Sequence, residues 1–411
     1  MEFDLGSLGS YNDIVNLIAD KHLVLLGEAT HGSLEFYEVR AKLTRLLIEE
    51  KGFDAVCIEG DWPNAALVDS YINGYGDKKT PETALNEFKR FPQWMWRNPV
   101  ILDLIRWLRD YNDGNGKHKA HFYGLDLYSL KGSIGAVIEY LEKTDPEAAK
   151  IAIRNYSCFD NTLHEPQEYG ALVKYHNKKA CIDEVLAELN ILREKSLSVS
   201  YKSFNEADKL FFATQNANLV KNAEHYYRAM FNYNEDTWNI RDQHMFEMLN
   251  NIIAHLTNKL KRVPKIIIWA HNSHLGNAKA TEMSSRGELN LGQLIKEAYP
   301  PDSFSLGFST YTGVVTTADN WNGEPKFKKI NPALPDSYEF LFHSLPAKNF
   351  LFNFNAKQEI KELFSRPKLQ RAIGVVYYPD TERQSHYFMA KASLQFDTML
   401  HIDYTNHLQP L

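Results

Sequence analysis

Residues 25–40 read "LLGEATHGSLEFYEVR", and this stretch joins an apolar run to a pattern typical of a helix. The run, residues 22–26, stops at Gly27, and a carboxylate, a hydroxyl and an imidazole then follow as Glu28, Thr30 and His31. Thr30 is a suitable N-cap, which puts His31 at or near the first helical turn. The positive end of a helix favours neutral imidazole, the form that a general base needs.

Five further apolar runs predict buried strands, and helical patterns separate them. The six runs are 22–26, 53–58, 118–125, 265–270, 303–308 and 372–378, and the helical patterns include 34–50, 98–111 and 287–298. Alternating strands and helices predict an α/β fold with a mostly parallel sheet flanked by helices.

The middle of the chain has a different pattern. From about 132 to 255 no segment reads as a strand, and charged amphipathic patterns fill 169–194, 203–231 and 237–256. We interpret this part as a large all-helical insertion that forms one wall of the active-site cleft. The predicted division is a first part of the α/β core at 1–131, a helical insertion or lid at 132–236, and a second part of the core at 237–411.

Composition excludes several classes of partner. The chain has 411 residues and a formal net charge of −6, which argues against nucleic acid and anionic membranes as partners. No apolar stretch reaches the roughly 18 residues of a membrane span, and the first residues show no signal peptide.

The three cysteines, Cys57, Cys158 and Cys181, form no spaced pair. They predict no disulfide framework and no zinc–thiolate site, and they fit a reducing compartment. We expect a cytoplasmic protein.

Ionisable residues follow four of the predicted strands. Because ligands of open α/β sheets bind outside the carboxyl ends of the strands, these side chains are expected to form one polar cluster. Each of them alone could be a capping or ion-paired loop residue; for Asp126 the two interpretations are equal, whereas His31 with Glu28 beside it favours catalysis. They are Glu28 and His31 after the first strand, Glu59 and Asp61 after the second, Asp126 after the third, and His271 and His274 after the fourth.

Four arginines are candidates to pair with these carboxylates, namely Arg40, Arg97, Arg228 and Arg241. Arg40 lies nine residues after His31, a spacing that puts the two on opposite faces of an ideal helix unless His31 precedes the helix. Arg241 comes from the helical pattern that precedes the fourth strand.

Absent motifs leave two mechanisms open. The sequence has no GxSxG, no P-loop and no GxGxxG after a strand, which argues against a serine-hydrolase elbow and against nucleotide binding. In one mechanism His31 deprotonates water, and Glu28 or Glu59 orients the imidazole of His31. Arg40 or the pair His271 and His274 then stabilises the oxyanion. In the other, the same histidines and glutamates bind a divalent metal that activates water.

Several segments resemble the erythromycin esterase family in that family's order. They are GEATHG at 27–32 followed by Glu35, Phe36 and Arg40, IEGD at 58–61, FYGLD at 122–126, NIRD at 239–242, and IWAHNSHLG at 268–276. Members of this family hydrolyse the lactone ester of macrolide antibiotics, and others carry a succinoglycan-biosynthesis label. The resemblance implies that His31 is the general base and that Glu28, Arg40, Glu59, His271 and His274 complete the site.

The resulting prediction is a macrolide esterase, without a serine nucleophile or a cofactor, that acts on a small-molecule macrolide and water and confers macrolide resistance. A divalent metal is possible but not favoured. The alternatives are a metal-dependent hydrolase of another ester or glycan, and a non-catalytic carbohydrate- or macrolide-binding protein. Aromatic residues including Trp94 and Trp321 are expected to line the cleft. The residues predicted to bind substrate are Asp61, Trp62, Asp126, Tyr233 and Arg241.

Overall fold

The computed structural model describes residues 8–77, 79–114, 118–163, 165–198, 204–232 and 235–411. The chain divides into two compact units. The first comprises Met1–Ile58, Val68–Phe122 and Pro264–Leu411, and the second comprises Glu59–Leu67 and Tyr123–Val263.

Most strands belong to one sheet, with the order β3-β2-β4-β1-β5-β10-β7 and with β6 paired to β5. β1 is parallel to β4 and β5, β2 is parallel to β4, and β10 is parallel to β5, whereas β6 and β7 are antiparallel to their neighbours. β8 and β9 form a separate antiparallel pair. The strands are β1 Leu23–Leu26, β2 Ala55–Asp61, β3 His121–Asp126, β4 Ile266–Trp269, β5 Ser303–Thr317, β6 Lys326–Ile330, β7 Asn349–Asn353, β8 Lys368–Arg371, β9 Tyr387–Ala390 and β10 Thr398–Thr405.

The central strands are short and apolar because both of their faces are covered. β1 and β4 read LVLL and IIIW, and every residue in them is buried. Their register sets Leu26 opposite Trp269 and also opposite Leu306 of β5. The polar segments that follow β1 and β4 therefore leave the sheet side by side, as the sequence predicted for these two strands.

Helices account for most of the remaining structure, and none in the described ranges is long and apolar enough to cross a membrane. The helices are α1 Leu8–Ile18, α2 Leu34–Lys51, α3 Trp62–Ile72, α4 Pro81–Leu85, α5 Pro99–Gly114, α6 Leu130–Thr144, α7 Pro146–Tyr156, α8 Pro166–Tyr175, α9 Ile182–Ser198, α10 Phe204–Ala229, α11 Thr237–Leu260, α12 Asn272–Leu275, α13 Leu291–Ala298, α14 Tyr338–His343, α15 Gln358–Leu363, α16 Glu382–Ser385 and α17 Ala392–Gln395.

The α/β fold with a mostly parallel sheet is confirmed, but one predicted strand is wrong. Residues 372–378 contain only isolated bridges, and the strand before them, β8, ends at Arg371. Ile373 instead bridges to Thr30 and donates its N–H to the carbonyl of Ala29 (2.9 Å). An apolar run predicts burial, and Ile373 is fully buried, yet its backbone bonds to the β1–α2 loop (residues 27–33) rather than to a strand.

Helices dominate the second unit, as the sequence predicted. Within its described residues the helices α6 to α11 follow one another, and the predicted pattern at 169–194 is split between α8 and α9. This unit extends beyond the predicted insertion at both ends and includes Glu59–Leu67. Its role as a lid stays a prediction.

A disulfide joins Cys158 and Cys181, so the prediction that the cysteines form no disulfide is wrong. The two lie 23 residues apart with no motif between them, and only the fold brings their Cα atoms to 5.9 Å. Cys57 is a free cysteine, and its burial within β2 raises the pKa of its thiol. Closing a loop of this length stabilises the unit by about 3 kcal/mol in the chain-entropy model. Cysteine usage therefore no longer supports a reducing compartment.

Candidate active site

The β1–α2 loop is held in place by close backbone contacts. The N–H of Gly27 donates to the carbonyl of Leu306 (2.9 Å), and the N–H of Asn272 donates to the carbonyl of Glu28 (2.8 Å). A Cβ at Gly27 would lie 2.1 Å from the Asn272 side chain, so only glycine fits there. These contacts fix the backbone from which Glu28 projects.

Helix α2 begins at Leu34, where the predicted helical pattern begins, but its N-cap is not the predicted residue. Its N-cap is Ser33, in extended conformation, and Thr30 is not the cap. The Thr30 hydroxyl lies 2.7 Å from the hydroxyl of Ser33 instead. His31 therefore precedes the helix, and the prediction that it occupies the first helical turn is wrong. The state of its ring is set by the side chain that it contacts.

That side chain is the carboxylate of Glu28. Nδ1 of His31 lies 2.7 Å from Oε1 of Glu28, and both residues are buried. Because an ionised carboxylate only accepts hydrogen bonds, the imidazole donates through Nδ1–H. In the neutral ring the lone pair is then on Nε2, which leaves that nitrogen able to accept a proton.

Arg40 contacts the other oxygen of the same carboxylate. Its Nη2 donates to Oε2 of Glu28, and the guanidinium lies over the rings of Tyr37 (4.4 Å) and Trp269 (4.7 Å). The helix begins after His31, which removes the geometric objection to placing Arg40 near the site. The side chain has no exposed surface, so the structure does not present it to a substrate carbonyl. Arg40 therefore balances the charge of the Glu28 carboxylate inside the protein.

Two aromatic donors hold the backbone of His31. The hydroxyl of Tyr37 and Nε1 of Trp94 each donate to the His31 carbonyl, both at 3.2 Å. No sequence pattern predicts this role for either residue, although Tyr37 lies one helical turn after the N-cap. Trp94 comes from a separate segment, and only the fold reveals its contact.

His271 takes the opposite tautomer from His31. It is the N-cap of α12, and its Nδ1 accepts the N–H of Ser273 (3.2 Å). A nitrogen that accepts a backbone N–H carries no proton, so the neutral ring has its proton on Nε2. The rings of His271 and His31 have centroids 4.9 Å apart. His274 is buried within α12, one turn further along.

The structure therefore brings together Glu28, His31, Arg40 and His271 in the first unit. Within the described residues, no group of three or more His, Cys, Asp or Glu side chains is arranged to hold a metal ion. The absence of a cofactor stays a prediction.

A second charged cluster lies in the second unit. Arg241 binds Asp126 through two nitrogens (3.0 and 2.8 Å) and also donates to Oε1 of Glu59 (2.7 Å). Burial lowers the pKa of Arg241, but the charges of Asp126, Tyr128 and Glu59 raise it well above its usual range. These residues pair with one another as the sequence suggested, and their contact with substrate stays a prediction.

The remaining predicted substrate residues are placed differently. Asp61 is buried at the end of β2. The prediction that Trp62 binds substrate is wrong, because its indole is fully buried against Tyr123 and Phe212 and offers no face to a ligand. Tyr233 lies outside the described residues.

Comparisons with known proteins identify the fold and the family. The family model described as erythromycin esterase matches residues 48–405, a span that begins after the β1–α2 loop. An erythromycin esterase type II of Escherichia coli is 24% identical over 315 residues, which cover 74% of this chain and 72% of that protein.

Solved structures are similar over nearly the whole chain. A succinoglycan biosynthesis protein has a TM-score of 0.77 at 22% identity, covering 98% of this chain and 93% of the other. A histidine-to-asparagine mutant of the erythromycin esterase EreC, in its open conformation, has a TM-score of 0.70 at 17% identity, with coverages of 97% and 94%. At these identities the similarity shows the fold.

Proposed function

The chain belongs to the erythromycin esterase family, and from this premise we propose that it is a hydrolase that opens the lactone ester of a macrolide by direct attack of water. Ring opening would inactivate the antibiotic and so confer resistance. The observation that carries the proposal is the contact of one buried carboxylate, Glu28, with both His31 and Arg40.

The proposed reaction uses His31 as both base and acid. Nε2 of His31 takes a proton from water, and the resulting hydroxide attacks the carbonyl carbon of the ester. The tetrahedral intermediate collapses, and His31 returns the proton to the leaving alkoxide. The products are a carboxylic acid and an alcohol on one opened chain, which together contain the added water. Glu28 stabilises the imidazolium that forms in between.

His271 is proposed to stabilise the oxyanion. Its tautomer directs an N–H donor from Nε2, and its ring lies beside that of His31. A donor aimed at the developing charge lowers the barrier more than it strengthens substrate binding. Because Arg40 is buried against Glu28, we assign it as a positioning residue for His31 instead.

Ser273 is the residue that would overturn the water mechanism. Its Oγ lies 2.8 Å from Nδ1 of His271, a distance that also suits a serine nucleophile and its base. The lone pair of that nitrogen already accepts the N–H of Ser273, which argues against its service as the base. We therefore expect Ser273→Ala to change kcat by less than about threefold, since it leaves His31 untouched. Loss of at least 10³-fold, or a burst of alcohol before steady state, would establish an acyl-enzyme.

A panel of macrolides of different ring size tests the function itself. Mass spectrometry of each incubation should show addition of one water to at least one member, in the presence and absence of EDTA. Activity that EDTA abolishes and added metal restores would support the metal-dependent alternative. Binding without addition of water to any member would support a non-catalytic binding protein.

A further inference from the structure

A pocket of about 380 Å³ lies in the first unit beside the segment that contacts His31. We propose that it binds a sugar ring attached to the substrate, an inference that rests on the proposed function. The residues that line the pocket include Phe91, Gln93, Trp94, Asn322 and Glu324.

Aromatic rings lead from the surface into this pocket. Trp321 has 54% of its surface exposed and meets the edge of Phe91 with centroids 5.2 Å apart. Phe91 in turn packs against Trp94 with centroids 5.4 Å apart. The electron-rich face of an aromatic ring attracts the polarised C–H groups on one face of a sugar. Trp321 therefore offers a ring face to a sugar at the mouth of the pocket.

The pocket also contains polar groups that suit hydroxyls. Within the described residues, the side chains of Asn322 and Glu324 have no hydrogen-bond or ion-pair partner, and Gln93 also lines the pocket. A carboxylate accepts two hydroxyl protons, and an amide both donates and accepts. The cations in the pocket are already engaged, because Lys89 pairs with Glu87 (3.0 Å) and Arg97 donates to the amide of Gln93 (2.9 Å). The polar groups of the pocket that have no partner within the described residues are therefore ones that can bind neutral hydroxyls.

The size and position of the pocket fit a substituent rather than the whole substrate. Its volume lies near the lower end of the 300–1,000 Å³ typical of small-molecule sites. Trp94 both lines the pocket and donates its indole N–H to the carbonyl of His31. A ring in the pocket is thus separated from the β1–α2 loop by one side chain.

Kinetics with a glycosylated macrolactone and its aglycone test the proposal. In Glu324→Ala and in Trp321→Ala, KM for the glycosylated substrate should rise about tenfold or more, the effect of losing one hydrogen bond to a charged group or one stacked ring. The same variants should leave kcat, and KM for the aglycone, within about twofold of the unmodified protein. Tyr404→Ala is the matched control, since Tyr404 is also 54% exposed but, unlike Trp321, does not contact Phe91 of the pocket.

Other outcomes separate this proposal from the proposed function. Equal losses on both substrates would show that these residues only support the fold, and no loss on either would show that the sugar does not enter the pocket. If neither substrate is hydrolysed, the proposed function fails. Calorimetry with the methyl glycoside of the same sugar then tests whether the pocket binds the sugar. Heat of binding that Glu324→Ala abolishes supports the sugar site, and no heat with the unmodified protein overturns it.

Discussion

Replacing His31 with asparagine is expected to lower kcat by about 10²- to 10⁴-fold, the usual contribution of a general base. An amide at this position can still donate to Glu28, so the charge balance around that carboxylate is kept. The amide has no nitrogen basic enough to take a proton from water, as the imidazole does. The thermal midpoint should therefore change little while turnover is nearly lost, and steady-state kinetics and calorimetry on the same preparation measure the two effects.

His22→Asn is the matched control for this variant. His22 lies just before β1, is partly exposed, and has Asp302 as its nearest acid at 3.5 Å. It should keep full activity. If His31→Asn hydrolyses the substrate as fast as His22→Asn does, His31 is not the base.

Glu28→Gln is expected to have a double effect, on stability and on activity. It leaves the guanidinium of Arg40 buried without its carboxylate, which costs about 3–5 kcal/mol of unfolding free energy. A carboxamide also no longer fixes the proton on Nδ1 of His31. In serine proteases, loss of the equivalent carboxylate lowers kcat by about 10⁴-fold, and we expect a loss of similar order.

A double variant separates the two effects. Glu28→Gln combined with Arg40→Met removes the unpaired charge, so unfolding by urea should show recovered stability while activity stays low. Recovery of activity together with stability would mean that Glu28 only supports the fold. Arg45→Met is the control on the same helix, because Arg45 pairs with Asp103 near the surface and such pairs contribute at most about 1 kcal/mol.

Local sequence determined the elements that are defined by short-range pattern. The runs at 22–26 and 265–270 became β1 and β4, because an uninterrupted apolar segment is stable only where both faces of a strand are covered. The same pattern fixed where polar residues begin, and so it identified Glu28, His31 and His271. The helices in the middle of the chain were also predictable from the sequence, because a charged amphipathic pattern extends there over many helical turns.

Strands β6 and β10 were harder to predict. β6 reads KFKKI and is largely exposed, whereas β10 mixes polar and apolar residues along its length. Neither has the uninterrupted apolar run of a covered strand, and the stability of both depends on pairing with β5. The prediction of a strand at 372–378 was wrong for the opposite reason. These residues do form an apolar run, but they are buried by the contacts of a loop and not by pairing in a sheet.

Only the tertiary structure decided how the site is assembled. It showed that Ser33 rather than Thr30 is the N-cap, so His31 precedes α2 and Arg40 can reach Glu28 despite its spacing from His31. It also brought Trp94 to the His31 carbonyl and Cys158 to Cys181. Sequence patterns report which residues are buried and with what period, because those properties depend on neighbours along the chain. Which buried charge meets which depends on packing between distant segments, and that is set only when the whole chain has folded.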